Sequence, residues 1–214
     1  DGEHTVTGNI QANGAFGAIH GTGTAKITVD ATTVYGTYVS NYAMAVCASG
    51  RSEITIKGGE FANQAPAGST LSLIYAQDNA KIVLGEDIDF KGKTFNITGQ
   101  NVTINGAGHT LSVNQIQNND TNATGAVIEN IKLQGTDTGS TWGRIILSYK
   151  DITIRNVEIS QFKTAINGHL NAIELHGGGK VENVKINITG QTDQICGIYA
   201  YNNTKISDVS FNLN

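Results

Sequence analysis

The sequence predicts an all-β solenoid, and three observations carry that prediction. The composition favours strands and tight turns: 25 Ile, 13 Val and 24 Thr stand against 9 Leu, with 26 Gly, 22 Asn and a single Pro among 214 residues. β-Branched residues suit strands, while Gly and Asn supply the positive-φ positions that turns need. A nine-residue block then recurs at spacings of 25 to 28 residues, and a six-residue motif follows it in the C-terminal half. Short β stretches that repeat at this period form coils, each stacked on the last at the ~4.8 Å spacing of neighbouring strands.

The blocks can be taken in order. Ile198–Ile206 (IYAYNNTKI) and Ile74–Ile82 (IYAQDNAKI) are identical at six of nine positions. The same frame fits Ile19–Ile27, Val46–Ile54, Ile146–Ile154 and Ile173–Val181. The 72-residue gap between the starts at 74 and 146 is close to three periods, which predicts two divergent copies inside it. The second motif is Ile-x-[Asn/Asp]-[Val/Ile]-x-[Ile/Leu/Phe]. Its copies begin at Ile128, Ile154, Val181 and Ile206, and Asn101-Val-Thr-Ile104 is a partial fifth. This gives about eight coils of roughly 26 residues in one domain over 1–214, an excerpt of a longer chain.

Composition also excludes function classes. Charged residues are 15% of the chain, against a usual ~25%. The net charge is −4, and the 14 Lys and Arg form no cluster, so the phosphate-neutralising footprint of a nucleic-acid binder is missing. No apolar run approaches the roughly 18 residues of a membrane helix. Two cysteines do not make a disulfide scaffold. At ~4.8 Å per coil, Cys47 and Cys196 lie roughly 25–30 Å apart, too far to bond. Cys47 is expected to point outward and Cys196 inward.

The run Phe95–Leu111 (FNITGQNVTINGAGHTL), followed by the Ile-x-Asn-Val-x-Ile copies, resembles the right-handed parallel β-helix of the pectin-lyase-like superfamily. That superfamily includes polysaccharide lyases and hydrolases, viral tailspikes and bacterial adhesins. The resemblance implies a fold and leaves the activity open, because a shared fold hosts many functions.

In stacked coils, aligned residues form columns, and period-two alternation sends neighbours in or out. The expected inward columns are Ile27, Ile54, Ile82, Ile154, Val181 and Ile206, and then Ile131, Val157, Val184 and Val209. Gly21, Ala48, Ala76, Ser148 and Ala200 make a small-residue column, with Leu175 as the exception. Asn101, Asn130, Asn156, Asn183 and Asp208 are expected to form one corner ladder, since Asn tolerates a left-handed bend. Charges alternate in sign along Glu129/Arg155/Glu182, Lys132/Glu158/Lys185 and Lys26/Glu53/Lys81, which supports the register.

The outward face of the block holds the candidate binding residues. Tyr75, Glu174 and Tyr199 occupy its second position; Tyr149, His176 and Tyr201 occupy its fourth. Aromatic rings beside polar groups suit sugars, which have an apolar face and a hydroxylated rim. Catalytic candidates are fewer. Asp87 and Asp89 are two apart and would face the same way on a strand, and glycoside hydrolysis uses two carboxylates. The motifs that the resemblance would require of a hydrolase are incomplete here: Gly108-His109-Thr110 and Arg144-Ile145-Ile146 are present, but there is no Asp-Asp pair. None of the five histidines shows zinc spacing, and no cofactor or metal is expected.

These observations favour a non-catalytic rod in a surface appendage, a viral tail or head fibre or a bacterial adhesin. Such a rod would be extracellular, on a cell surface or on a virion, and would present a glycan- or receptor-binding face. Further chain, or other subunits in a homo-oligomer or larger assembly, is expected to cover its ends, because an open solenoid end exposes apolar rungs. The alternative is a carbohydrate-degrading enzyme, a polysaccharide lyase or glycoside hydrolase.

Overall fold

The computed structural model describes residues 2–11, 18–36, 45–58, 60–63, 74–136, 142–163, 168–190 and 193–214; the side chains of Thr32, Gly36, Asn63, Phe162 and Lys163 are outside the description. Within them the chain forms strands and no helices, and the strand pairing is parallel. One sheet of eight strands carries one strand per coil, bounding about seven turns. These strands are Ile19–Gly21, Val46–Ala48, Ile74–Ala76, Thr94–Ile97, Gln115–Asn118, Trp142–Ser148, His169–Leu175 and Gln194–Ala200. The remaining strands form a second sheet of 12. It is bent at a corner, so each C-terminal coil has three sides. In the coil containing Ala126–Gly135, the first side is 126–129, the bend is Asn130, and the second side is 131–135.

The divergent copies inside the gap are real and shorter than the period. Ile74 pairs in register with Phe95, Phe95 with Ile116, and Ile116 with Ile146. Two tight coils precede a wide one, which is why a fixed frame of about 26 residues does not find them.

The core is a set of stacked aliphatic columns. Ile27, Ile54, Ile82, Ile104, Ile128, Ile154 and Val181 lie in register and are buried. Fully burying one such side chain stabilises by about 1.5–3 kcal/mol. The column ends at Ile206, in register with Val181 but 50% exposed, alongside exposed Phe211 and Leu213 of the last strand. The column position is therefore right, but nothing among the described residues stacks on it. The small-residue column also lies in register and is buried from Gly21 to Leu175, with Ile97 and Asn118 filling its two short coils, but Ala200 in the last coil is exposed. The alternating charges are adjacent as expected: Arg155 Nε donates to Glu129 Oε2 at 2.8 Å, and Lys81 Nζ to Glu53 Oε2 at 2.9 Å.

The corner ladder needs one correction. Asn130, Asn156, Asn183 and Asp208 have φ of 52°, 54°, 51° and 54°, and form one corner between the first and second sides. Their amides connect coils: Asn156 Nδ2 donates to Asn130 Oδ1 at 3.0 Å, and Asn183 Nδ2 to Asn156 Oδ1 at 2.9 Å. Asn101, also left-handed at 56°, belongs to a different corner, between the third side and the first. It donates to Asn79 Oδ1 at 3.0 Å, and Gly23, Gly50 and Gly125 take up positive φ at the same turn in other coils. The position matching Asn130 in the preceding coil is instead Ala107, at φ 50°. Both corners need a residue that tolerates left-handed backbone, so Asn appears at both and the sequence does not separate them.

Candidate functional site

Three long strands on the third side, Trp142–Ser148, His169–Leu175 and Gln194–Ala200, align their side chains in rows. Trp142, His169 and Gln194 form one row. Arg144, Asn171 and Cys196 form the next. Leu147, Glu174 and Tyr199 form the third. The backbone ladder continues past the strands: His176 N donates to Ser148 O, and Tyr201 N to Leu175 O, each at 2.7 Å. That continuation places Tyr149, His176 and Tyr201 in a fourth row.

The fourth row is a ladder of rings. Tyr149 stacks on His176 with centroids 4.5 Å apart, and His176 on Tyr201 at 4.6 Å, with ring planes within about 20° of parallel. His176 has a ring on each face and meets solvent by its edge, while Tyr149 and Tyr201 each give one face to the stack. Tyr201 donates its hydroxyl to that of Tyr199 at 3.0 Å, with the two rings edge to face at 5.0 Å. This hydrogen bond raises the Tyr201 hydroxyl above its ordinary pKa. Tyr149, Tyr199 and Tyr201 remain 45–46% exposed.

Glu174 lies beneath the ladder, 4% exposed. Its Oε2 accepts from Arg144 Nε at 2.6 Å and Asn171 Nδ2 at 2.7 Å, and its Oε1 is 2.7 Å from His176 Nε2. Burial alone would push this carboxyl up. The hydrogen bonds from His176, Arg144 and Asn171, with the Arg144 charge, outweigh it and hold the group below its ordinary value. The carboxylate thus ties three rows together. At the far edge, Trp142 stacks on His169 at 4.5 Å, and the Arg144 guanidinium lies 5.5 Å from the indole centroid. His169 Nδ1 is 2.6 Å from Gln194 Oε1.

The candidates from the sequence divide. Tyr149, Glu174, His176, Tyr199 and Tyr201 come together in one patch. Tyr75 shares the column of Leu147, Glu174 and Tyr199 but lies three coils before Leu147, roughly 14 Å away along the axis. Glu174 points outward in register yet is covered, as are Cys47 and Leu147 in the same column. Trp142, His169 and Asn171 are not among the sequence candidates, and Arg144 is there only as part of an incomplete hydrolase motif. All four precede the nine-residue frame, and alternation counted back from Ile146 and Ile173 turns them inward, because the register skips Ile145 and Ala172.

Cys196 is corrected by the same geometry. Its row partners are Arg144 and Asn171, on the outer face near Glu174, and burial raises its thiol above the ordinary value. The register skips Ile145 and Ala172, so alternation counted back from Ile198 slips by one. Cys47 is buried and its thiol is pushed up to about 11; both cysteines are free.

Asp87 and Asp89 lie on another side of the coil. Asp87 Oδ1 accepts the Thr110 backbone N–H at 2.7 Å, and that bond holds the carboxyl below its ordinary value. Asp89 Oδ1 accepts the Lys91 N–H at 2.7 Å. Among the described residues there is no group of three or more His, Cys, Asp or Glu placed to hold a metal ion.

Residues 74–164 match the family model described as "Putative pectate lyase-like adhesive domain". The match includes Asp87, Asp89, Trp142, Arg144 and Tyr149 and stops short of Glu174. No curated protein and no solved structure matches the chain. A parallel solenoid containing this match fits an adhesin-like role with a surface-exposed location. The chain is a parallel β-solenoid, and its residues 74–164 are similar to the pectate lyase-like adhesive family.

Proposed function

We propose that the chain is a non-catalytic, extracellular adhesive rod, displayed on a cell surface or a virion, whose third side binds a glycan. The observation that supports this most is the patch of exposed rings locked from below by Glu174. Its hydroxyls, imidazole edges and guanidinium are held in place before any ligand arrives, so little side-chain entropy is lost on binding. Recognition here is by edge. His176 spends both faces on the flanking tyrosines, so its edge, with the tyrosine hydroxyls, meets sugar hydroxyls.

The carboxylates support the non-catalytic half of the reading in one respect, the lack of a suited general acid among Glu174, Asp87 and Asp89. A general acid must hold a proton near neutral pH, which calls for a raised pKa. Glu174 and Asp87 are both lowered, and Asp89 is engaged by a backbone donor.

A polysaccharide panel tests both halves. The protein should be retained on at least one glycan without releasing new reducing ends or unsaturated products, and Tyr149→Ala should weaken retention about tenfold. Depolymerisation would overturn the non-catalytic reading. Retention unaffected by Tyr149→Ala, or none at all, would overturn the glycan face.

A further inference from the structure

His176 has two ring nitrogens, and the fold commits only one of them. Nε2 lies 2.7 Å from Glu174 Oε1. Nδ1 takes no partner among the described residues, and it is not one of the buried side-chain atoms left without one, so it reaches solvent. The ring cannot tilt away, because Tyr149 and Tyr201 cover its two faces at 4.5 and 4.6 Å. A neutral imidazole carries one N–H and one bare nitrogen. Which nitrogen is bare decides whether the exposed edge accepts a hydrogen bond or donates one.

Glu174 decides it. Its Oε2 accepts from Arg144 Nε at 2.6 Å and from Asn171 Nδ2 at 2.7 Å. Its hydrogen bonds hold the carboxyl below its ordinary pKa, so near neutral pH the group carries no proton. Oε1 can then only accept, and the hydrogen shared with His176 belongs to Nε2. The bare nitrogen of the neutral ring is Nδ1, at the solvent edge.

We infer that Glu174 is a positioning residue that locks His176 as its Nε2–H tautomer, so that Nδ1 is a hydrogen-bond acceptor for the ligand of the aromatic patch. This rests on the patch being the binding face proposed above, and it says what that face selects. A ligand must bring a hydroxyl or N–H donor to the middle of the ring ladder. A group with acceptors alone, such as an ether oxygen, meets a lone pair there and makes no bond. The same geometry says how to reverse the lock. Arg144 and Asn171 both donate to position 174. A carboxamide at 174 must therefore turn its oxygen to them and its NH₂ to His176. Nε2 must then be bare, which moves the ring proton to Nδ1. Glu174→Gln keeps the shape of the site and turns the His176 edge from acceptor to donor.

The test joins two measurements on the 214-residue chain at neutral pH. One is the ligand-free nitrogen NMR spectrum of the His176 ring. The other is retention on immobilised dextran, xylan, mannan and galactan. The spectrum should place the hydrogen on Nε2 in the parent and on Nδ1 in Glu174→Gln. Retention of that variant should fall about tenfold or more, with an unchanged circular-dichroism spectrum showing that the coils are intact. A hydrogen on Nδ1 in the parent, or shared between the two nitrogens, would overturn the lock, and this reading needs no variant to fold. An inverted tautomer in Glu174→Gln with parental retention would overturn the acceptor role. Retention of the parent on none of the four polysaccharides would overturn the glycan face and the acceptor role with it, whereas the ligand-free spectrum decides the lock alone, so the two failures are told apart.

Discussion

Two ladders run along this solenoid, and they differ in why they exist. At the corner, Asn130, Asn156 and Asn183 sit at positive φ and pass hydrogen bonds from coil to coil. Backbone geometry demands that residue type, so the column is explained without any ligand. On the third side, Tyr149, His176 and Tyr201 also stack in register. None of the three is at positive φ, so no backbone requirement selects aromatic residues there. The patch adds a buried carboxylate with three donors beneath it. A repeated residue is therefore read as structural when the backbone requires it, and as available for recognition when it does not.

Mutations can break this contrast. The largest expected effect is at Glu174. Glu174→Ala leaves Arg144 and His176 without their acceptor, and breaking such a buried pair costs about 3 kcal/mol. Urea denaturation should show that loss, together with a looser patch and lost glycan retention. Next comes the corner. Asn156→Ala loses two amide hydrogen bonds and forces a Cβ-bearing residue lacking the local compensation of Asn into left-handed backbone, about 2 kcal/mol together. Asn156→Gly should recover roughly half of that, because glycine accepts the φ at no steric cost. Both corner variants should bind glycan as the parent does.

A smaller effect is expected with pH. The Glu174 carboxyl lies below its ordinary 4.5, so the unfolded chain holds that proton more tightly than the folded one. Its contribution to stability is complete above 4.5 and is lost as pH falls through the lowered folded value. Denaturation melts taken from neutral into acid should fall more steeply for the parent than for Glu174→Gln. Smallest in stability is Tyr149→Ala, which removes one exposed stacking contact, about 1 kcal/mol. A loss of several kcal/mol there would make the ring ladder structural and erase the contrast.

Much of this was legible in the sequence because stacking turns a period into a column. Register along Ile27, Ile54 and Ile82 and the coming together of Tyr149, His176 and Tyr201 follow from a block that recurs at the coil period. What failed had local causes. The two short coils at Phe95 and Ile116 are counted by the gap, but a fixed period does not place them. Asn101 was placed at the wrong corner because two bends need the same backbone. Cys196 was turned the wrong way by a skipped register that alternation cannot reveal. Arg144 and Asn171 lay outside the frame, and their meeting with Glu174 depends on side-chain reach, which no column shows.

The most direct test of the central claim is a backbone amide NMR titration of the protein with a glycan retained in the panel. The account predicts that shifts concentrate at Tyr149, Glu174, His176, Tyr199 and Tyr201, with Asn130, Asn156 and Asn183 silent. Shifts centred on the asparagine corner, with the aromatic rows unmoved, would contradict it.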